Sequence, residues 1–258
     1  MKKVSLILTT FNCSQNLVKT LESIESQDYP NIEVVIKDGG STDETINIIE
    51  QYEKESHNKV IWESRKDTGI YDAMNQGYGL CTGDIIAFFN DVFTKKDSIS
   101  KLVAKMEEIN PNTKGEYIGV HADLVYTEKD RVIRSWKMGE GNIYQGWMPA
   151  HPTLFLKREI YEEYGLYNTK FRIAADYEFM IRFLKERENQ LAYLSEIVVS
   201  MFYGGTSSGG LSNYLESLKE GHRALKMNGI GMAWVIDLQR IIKVLRQFRG
   251  KNNIEGTL

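Results

Sequence analysis

The chain has 258 residues, of which 42% are hydrophobic and 26% are charged, a composition typical of a globular protein with a sizeable core. A formal net charge of −3 argues against a general nucleic-acid-binding protein, which normally carries a basic excess. The two cysteines, Cys13 and Cys81, stand in no Cys-x-x-Cys or Cys/His cluster, which argues against a disulfide scaffold or zinc site and favours a reducing compartment.

The N-terminal apolar run is too short for the hydrophobic region of a signal peptide, and we interpret it as a first strand. No stretch approaches the roughly 20 apolar residues that a membrane-spanning helix needs. The sequence therefore predicts a cytoplasmic protein that is soluble or peripheral to a membrane.

The first half of the sequence alternates apolar strands with helices. We predict strands over 4–10, 32–38, 60–64 and 84–89, and helices over 16–27, 43–55 and 69–80. Such strands form a mostly parallel sheet covered by helices on both faces, an α/β fold. Ligands of these sheets bind beyond the carboxyl ends of the strands, here residues 10–12, 38, 65–67 and 90–91.

The second half has a different pattern. After a helix at about 97–109, residues 117–127 and 131–138 are predicted to form two antiparallel strands. Helices over 157–165 and 174–186 and a late strand over 191–203 follow. The GGTSSGG stretch at 204–210 is the best candidate for a linker, and the remainder is predicted to be helical to about Arg249.

Three aspartates stand at predicted strand ends. Asp38 precedes a Gly-Gly-Ser-Thr-Asp turn, and helix capping explains Ser41 to Asp43 but not Asp38, which could accept a hydrogen bond from a base or ribose. Asp67 is either an N-cap or acidic first-turn residue of the next helix or, beside Arg65 and Lys66, a neighbour of a phosphate or ribose. A carboxylate at Asp91 could share a divalent cation with a substrate diphosphate, because Mg²⁺ and Mn²⁺ bind through one or two carboxylates plus phosphate oxygens.

Two further residues are candidates for chemistry. Asp176 follows two alanines near the start of a helix and is a candidate general base, whereas Glu178, two residues on, faces elsewhere and is suited to an exposed salt bridge with Arg172 or Arg182. His151 lies in a loop made rigid by Pro149 and Pro152. Metal ligand, diphosphate donor and plain loop histidine all remain open for it.

The C-terminal helix combines apolar and basic residues. Its apolar residues are spaced by three and four positions and are Trp234, Leu238, Ile241, Leu245 and Phe248. No acid occurs between 238 and 251, and the basic residues of this region are Arg240, Lys243, Arg246, Arg249 and Lys251. A basic amphipathic helix is typical of membrane-surface elements. Packing of the same apolar stripe on the body of the protein is about as probable.

Several stretches together resemble the family 2 glycosyltransferases of the GT-A fold. They are VSLILTTFN, IEVVIKDGGSTDET, KDTGIYDAMNQGYGLCTGDIIAFFND, PAHPTLFLKREIYEEYGLYN and FRIAADYEFMIRFL, in order over roughly residues 3–205. Within that family the sequence is most similar to bacterial enzymes that build surface polysaccharides on lipid carriers. The resemblance implies a Rossmann-like GT-A domain over 1–205, with a nucleotide-sugar-binding half (1–115), an acceptor-binding half (116–205) and a helical extension over 206–258.

The resemblance also implies roles for residues. Asp176 is the catalytic base, Asp91 the acid of the metal-binding motif, and Thr10, Asn12, Asp38, Arg65 and Asp67 belong to the nucleotide-sugar site. Beyond the resemblance, we predict that Asn90 belongs to the nucleotide-sugar site and that His151 contacts acceptor or diphosphate; which of the two completes the metal shell stays open. The implied reaction is an inverting transfer of a hexosyl or N-acetylhexosaminyl group from a UDP-sugar to a glycan or lipid-linked saccharide, with Mg²⁺ or Mn²⁺ as cofactor and possible contact with the inner membrane.

One stretch departs from the family pattern. Relatives carry Asn-Ser-Asp-Asp, Asn-x-Gly-Asp or Asp-x-Asp where this chain has Asn90-Asp91-Val92, so one acid stands where two are usual. Two other classes of protein remain as alternatives. A non-catalytic nucleotide-sugar-binding protein is compatible with the reduced motif, whereas a sugar nucleotidyltransferase would need a Gly-rich N-terminal loop that LTTFNCSQN lacks.

Overall fold

A nine-stranded mixed sheet forms the centre of the protein. The computed structural model describes residues 1–129, 131–202 and 210–249. Over these residues the strands are β1 Val4–Thr10, β2 Ile32–Asp38, β3 Lys59–Ser64, β4 Ile85–Phe88, β5 Val92–Phe93, β6 Gly119–Glu128, β7 Arg131–Trp136, β8 Phe155–Lys157 and β9 Leu191–Phe202. The helices are α1 Ser14–Glu25, α2 Thr45–Glu55, α3 Ile70–Leu80, α4 Ser98–Met106, α5 Arg158–Tyr164, α6 Ala175–Leu184, α7 Gly210–Met227 and α8 Ala233–Arg249.

The strand order is β3-β2-β1-β4-β8-β6-β9-β5, with β7 paired to β6. Strands β1 to β4 are parallel, and their register places Thr10 beside Asp38 and Asp38 beside Ser64. The carboxyl ends of these strands therefore meet at one edge of the sheet, as the sequence predicts. The antiparallel pairs are β4–β8, β8–β6, β6–β7 and β5–β9.

Helices cover both faces of the sheet, which confirms the α/β prediction. On one face α1, α2 and α4 bury apolar side chains such as Leu17, Leu21 and Ile24 against the strands, on the spacing that the sequence shows. On the other face α3, α5 and α6 pack on the sheet, and α7 and α8 join the same apolar cluster through Leu225 and Ile236.

Two strands are absent from the sequence-based prediction. β5 has two residues and β8 has three, and both form by pairing with strands that are distant in the sequence. Runs of this length carry too few residues for a periodic signal. The predicted helices and longer strands are confirmed, with ends that shift by up to three residues.

The C-terminal helix α8 packs on the protein, but not by the apolar stripe that the sequence suggests. Ala233 and Ile236 are buried, whereas Trp234 is 67% exposed and Leu238 is 51% exposed on the opposite face. The side chains at 245 and 248, and most of the predicted linker at 204–210, lie outside the described residues. None of the helices in the described part of the chain is long and apolar enough to cross a bilayer.

Candidate active site

Asp38 sits at the end of β2 with both carboxylate oxygens occupied. Oδ1 accepts hydrogen bonds from the hydroxyls of Thr10 (3.0 Å) and Ser41 (2.5 Å). Oδ2 accepts from the Ser64 hydroxyl at 2.7 Å and from the amides of Gly40 and Ser41, each at 2.8 Å. A carboxylate has about four lone-pair positions, so these five donors fill it. Asp38 thus ties together the ends of three strands.

Burial and hydrogen bonding act in opposite directions on Asp38. Burial of this completely inaccessible side chain raises the pKa, but the hydrogen bonds from Ser41, Ser64 and Gly40 outweigh it and hold the pKa of Asp38 below its usual value. The group is therefore a charged, structural anchor of the β2–α2 turn. The expected contact of Asp38 with the base of a bound nucleotide stays a prediction.

Asn12 performs a similar task in the neighbouring turn. It adopts a left-handed backbone conformation (φ 46°), and its Oδ1 accepts from the Thr42 amide at 2.8 Å. Its own amide donates to the Ser41 hydroxyl at 2.8 Å. The β1–α1 and β2–α2 turns are therefore joined to each other, and Thr10, Asn12 and Asp38 belong to one hydrogen-bond network at this edge.

Phe11 and Asp67 present their side chains at this edge. Phe11 is 64% exposed although it lies between the two locked turns. Asp67 accepts from the Gly69 amide at 2.9 Å through Oδ1, while Oδ2 lies against Gly39, where an added Cβ would be 2.6 Å away. The same Cβ would be 3.3 Å from the Phe11 ring. An aromatic face, a backbone surface and a carboxylate are thus adjacent at the ends of β1, β2 and β3.

Arg65 lies at the rim of this region, and Lys37 lies beneath it. Arg65 Nη2 donates to Gln76 Oε1 at 3.1 Å, and its Nε is 3.5 Å from Glu63 Oε1. Lys37 is completely buried, and its ammonium group donates to the backbone carbonyls of Asp38 and Arg65. The buried ammonium holds the β2 and β3 ends together from below.

Asn90 and Asp91 follow β4 and face different neighbours. Asn90 makes two hydrogen bonds to Thr9, from its Nδ2 to Oγ1 at 3.0 Å and from the Thr9 amide to its Oδ1 at 2.9 Å. Asp91 is 9% exposed and accepts from the Phe202 amide at 3.3 Å. Burial raises the pKa of Asp91 to about 7, partly opposed by that hydrogen bond.

The surroundings of Asp91 do not form a complete cation site. Within residues 1–129, 131–202 and 210–249, no group of three or more His, Cys, Asp or Glu side chains could hold a metal ion. Asp91 alone offers one carboxylate. It fits a cation only if most of the ligands come from a bound diphosphate, which Mg²⁺ and Mn²⁺ accept.

Asp176 occupies the first turn of α6 and meets a tyrosine from α3. Its Oδ1 accepts from the Tyr177 amide at 2.8 Å and lies 3.0 Å from the Tyr71 hydroxyl. That hydroxyl is also 2.6 Å from the carbonyl oxygen of Ile173. Burial, with a contribution from the negative charge of Asp176, raises the pKa of Tyr71 well above its usual value. Tyr71 is therefore a protonated donor beside the candidate base.

His151 belongs to the same cluster as Asp176. Its Nε2 is 2.7 Å from the Tyr167 hydroxyl, and its ring stacks on Phe88 at a centroid distance of 5.8 Å. Burial lowers the pKa of His151, and the nearby charge of Asp176 opposes this only in part, so the imidazole is neutral at pH 7. The structure gives His151 a hydrogen bond to Tyr167. Among the described residues it belongs to no group of three or more His, Cys, Asp or Glu side chains that could hold a metal ion.

Helix α3 connects these two groups of residues. It begins directly after the turn that carries Asp67, and its second residue is Tyr71, which contacts Asp176. Asp72 fixes the start of the helix by accepting from the Thr68 amide at 2.9 Å. The strand-end residues and the candidate base are thus joined by one short helix.

The sequence places residue 11 at the predicted ligand-binding edge but indicates no role for Phe11, and Tyr71 and Tyr167 are missing from the predicted site residues. Tyr71 lies within the quoted GIYDAMN stretch, but its partner Asp176 is 105 residues away in the sequence. Of the two partners predicted for Glu178, the structure pairs it with Arg182, at 3.1 Å, and Glu178 is buried rather than exposed.

The fold and this arrangement of strand ends define an α/β protein of the GT-A type. The sequence model described as "Glycosyl transferase family 2" matches residues 5–165, which is more than half of the chain. The protein belongs to glycosyltransferase family 2 and is therefore an enzyme that transfers glycosyl groups.

Curated relatives agree with this assignment. A PGL/p-HBAD biosynthesis glycosyltransferase of Mycobacterium bovis is 31% identical over 245 residues, which cover 92% of this chain and 89% of the relative. The dolichyl N-acetyl-alpha-D-glucosaminyl phosphate 3-beta-D-2,3-diacetamido-2,3-dideoxy-beta-D-glucuronosyltransferase of Methanococcus voltae is 28% identical over 226 residues, covering 80% of this chain and 68% of that protein.

Solved structures share the fold at lower sequence identity. The crystal structure of residues 1–349 of S. aureus TarS has a TM-score of 0.68 at 17% identity, covering 96% of this chain and 73% of that one. The mannosyltransferase PcManGT of Pyrobaculum calidifontis, in complex with GDP-Man and Mn²⁺, has a TM-score of 0.65 at 17% identity, covering 100% and 76%.

Proposed function

We propose that the protein is an inverting glycosyltransferase that moves a sugar from a UDP-sugar to a hydroxyl of a glycan or lipid-linked saccharide in bacterial cell-surface polysaccharide synthesis. The observation that carries this proposal is Asp176, a carboxylate beside Tyr71 and close to His151, next to the edge where nucleotide ligands of such sheets bind. This location supports a general base acting on an acceptor bound over the sheet edge.

The reaction exchanges one carbon–oxygen bond for another at the anomeric carbon. The acceptor oxygen forms the new bond as its proton passes to Asp176, and the bond to the nucleoside diphosphate breaks on the opposite side. Tyr71 holds the carboxylate that takes the proton. The neutral His151 can donate or accept a hydrogen bond toward either acceptor or diphosphate, which keeps both predicted contacts available.

The donor site is proposed to comprise Phe11, Asp67 and the turn around Gly39. The exposed Phe11 ring offers a face on which a base can stack, and stacking of this kind contributes about 1–3 kcal/mol in other proteins. Asp67 can accept from the base or ribose. A structure of TarS contains UDP and another contains UDP-GlcNAc, which supports a uridine nucleotide for a protein of this fold.

We propose that Mg²⁺ or Mn²⁺ binds together with the donor, with Asp91 as the protein ligand. When bound, such an ion would neutralise negative charge that develops on the departing diphosphate. Asn90 stays bound to Thr9 and supports the backbone next to Asp91. The complex of PcManGT with Mn²⁺ supports a cation in a protein of this fold.

Replacement of the base tests the proposed function. In Asp176→Asn, transfer should fall by about 10²- to 10⁴-fold, the range for removal of a general base, while the donor dissociation constant measured by calorimetry should stay within about twofold. Asp97→Asn, on the surface at the start of α4, is the matched control. Full turnover in Asp176→Asn would refute the assignment, and donor binding without any turnover in the wild type would favour the non-catalytic alternative.

We also propose that α8 holds the protein at an anionic membrane surface. Trp234, Leu238 and Ile242 are exposed in a row along the helix, opposite its packed face, and the sequence from 238 to 251 contains basic residues but no acid. An exposed apolar row on a helix of basic sequence is typical of elements that bind the interface of an anionic bilayer. The row is complementary to a lipid surface that would present a lipid-linked acceptor.

Vesicle binding tests this surface. The double variant Trp234→Ser and Leu238→Ser should bind vesicles of anionic lipid at least about tenfold more weakly, because each buried apolar side chain contributes about 1.5–3 kcal/mol. Ile109→Ser, which alters an exposed apolar residue elsewhere, should bind as the wild type does. Equal binding of wild type and double variant, or no binding by the wild type, would refute the proposal.

A further inference from the structure

The segment that leads into the helix of Asp176 is held by a side chain from another helix. The residue before α6 is Ala174, which has no side-chain hydrogen bond to offer the first amides of the helix. Glu220, from α7, binds the Ala174 amide and the two amides that precede it. Its carboxylate accepts from the backbone amides of Arg172 at 2.7 Å, Ile173 at 2.8 Å and Ala174 at 2.9 Å.

The peptide groups of Ile173 are held from two directions. Glu220 binds its amide, and the hydroxyl of Tyr71 lies 2.6 Å from its carbonyl oxygen. Both side chains are buried. Glu220 comes from α7, which follows α6 in the chain, and Tyr71 comes from α3, which precedes it. A segment restrained at both ends of one residue has little freedom to move, and Asp176 follows three residues later.

Helix α7 is itself fixed to the body of the protein. His222 Nδ1 lies 2.6 Å from Asp237 Oδ2, which ties α7 to α8, and Asn228 donates to Glu178 Oε1 of α6 at 3.2 Å. Arg240 of α8 stacks over Tyr177, the residue after Asp176, at 3.8 Å from the ring centroid. The C-terminal helices therefore provide a rigid support behind the base.

We propose that Glu220 is a positioning residue for the catalytic base, acting with Tyr71 to fix the backbone that leads into Asp176. The inference rests on the proposed role of Asp176. A displacement of a reacting group by about 1 Å can cost about 10²-fold in rate, so a carboxylate that binds three amides at the entrance of α6 bears directly on turnover. Glu220 touches neither donor nor acceptor in this scheme, and its effect must pass through Asp176.

A double-mutant cycle separates positioning from mere support of the fold. Glu220→Gln should lower kcat for transfer by about 10- to 100-fold and leave the donor dissociation constant within about twofold. In an Asp176→Asn background the same substitution should have no further effect beyond about twofold, because residues that act through one group are not additive. Glu216→Gln, on the same helix and exposed, is the control.

Tyr71→Phe provides a second variant that keeps the buried ring. It should lower kcat in the wild-type background and have no further effect in the Asp176→Asn background. Tyr78→Phe, also on α3, is its control. Thermal unfolding is measured for each variant. If Glu220→Gln is unfolded at the assay temperature, Glu220→Asp, which keeps the carboxylate on a shorter side chain, decides the question by the same double-mutant cycle.

The outcomes distinguish this inference from the proposed function. If Asp176→Asn keeps full turnover, the base assignment and the inference both fail. If Asp176→Asn loses turnover while folded Glu220→Gln and Tyr71→Phe behave as their controls, the inference alone fails. If the losses multiply in the Asp176→Asn background, Glu220 and Tyr71 support the fold generally, and the inference is overturned.

Discussion

Removal of the Asp38 carboxylate should cost stability before it costs donor affinity. In Asp38→Ala five donors lose their acceptor. The three hydroxyls can turn toward other acceptors, but the amides of Gly40 and Ser41 are fixed by the turn. A buried donor left without a partner costs about 1–3 kcal/mol. The two amides belong to partly buried residues, so the low end of that range applies and predicts a loss of about 2 kcal/mol in the free energy of unfolding.

The isosteric variant should be milder. In Asp38→Asn the amide oxygen can face the two backbone amides, and the NH₂ group can donate to the hydroxyls of Thr10 and Ser41, which also accept. Only the extra strength of hydrogen bonds to a charged acceptor is lost, about 1–2 kcal/mol. The wild type should lose the same contribution as pH falls below 3.8, because the pKa of Asp38 in the folded state lies below that value and the carboxylate becomes protonated.

Guanidinium unfolding followed by tryptophan fluorescence measures these losses, and calorimetry with UDP measures donor affinity. Asp97→Ala is the control, since its carboxylate forms only a surface pair with Lys101 at 3.2 Å, worth about 0–1 kcal/mol. If Asp38→Ala is as stable as this control but no longer binds UDP, the structural explanation is wrong and Asp38 contacts the nucleotide directly, as the sequence resemblance implies.

Three further results are expected. Gly39→Ala should push the Asp67 carboxylate aside, since the new Cβ would be 2.6 Å from Oδ2, and should weaken UDP binding without lowering Tm. Gly79→Ala is the control, because its Cβ would meet nothing within 4 Å. Equal UDP affinity in both variants would contradict the proposed donor site at Phe11, Asp67 and Gly39. EDTA should abolish transfer, and Asp91→Asn should raise the Mn²⁺ concentration needed for half-maximal rate; full activity in EDTA would exclude Asp91 as a ligand that matters. Burial lowers the pKa of His121 to about 3, so between that value and about pH 6.5 only the unfolded state takes up a proton. The free energy of unfolding of the wild type should therefore fall by about 1.4 kcal/mol between about pH 7.5 and 5.5, a loss that His121→Gln should not show. An identical pH dependence of both proteins in denaturant titrations would refute this.

The sequence was sufficient for the sheet and its ligand-binding edge. Apolar runs such as 32–38 carry enough residues to reveal a buried strand, and the parallel arrangement brings their carboxyl ends together whatever the loops do. The sequence alone does not predict side-chain hydrogen bonds between residues that are distant in the chain. Ser64 lies 26 residues after Asp38, and only the β2–β3 register shows that it occupies an oxygen of that carboxylate.

The sequence also does not predict which face of a helix packs on the protein. Helix α8 is apolar around much of its circumference, so its spacing alone does not tell which face packs, and burial selects Ile236 rather than Trp234. Glu220 gives no signal in the sequence at all, because a glutamate in a polar helix is ordinarily exposed. Its role depends on three amides that lie 46 to 48 residues earlier.

The pairing of β5 with β9 has a consequence for synthesis of the chain. β5 directly follows Asp91, yet it pairs with residues 199–200 of β9, and Asp91 accepts its hydrogen bond from the amide of Phe202. Strands β1 to β4 can assemble as soon as they leave the ribosome, but this carboxylate has no settled environment until about a hundred further residues have emerged, which takes about 5–20 s at ordinary elongation rates. A nascent chain halted before β9 would therefore hold strands β1 to β4 with Asp91, the proposed cation ligand, still unplaced.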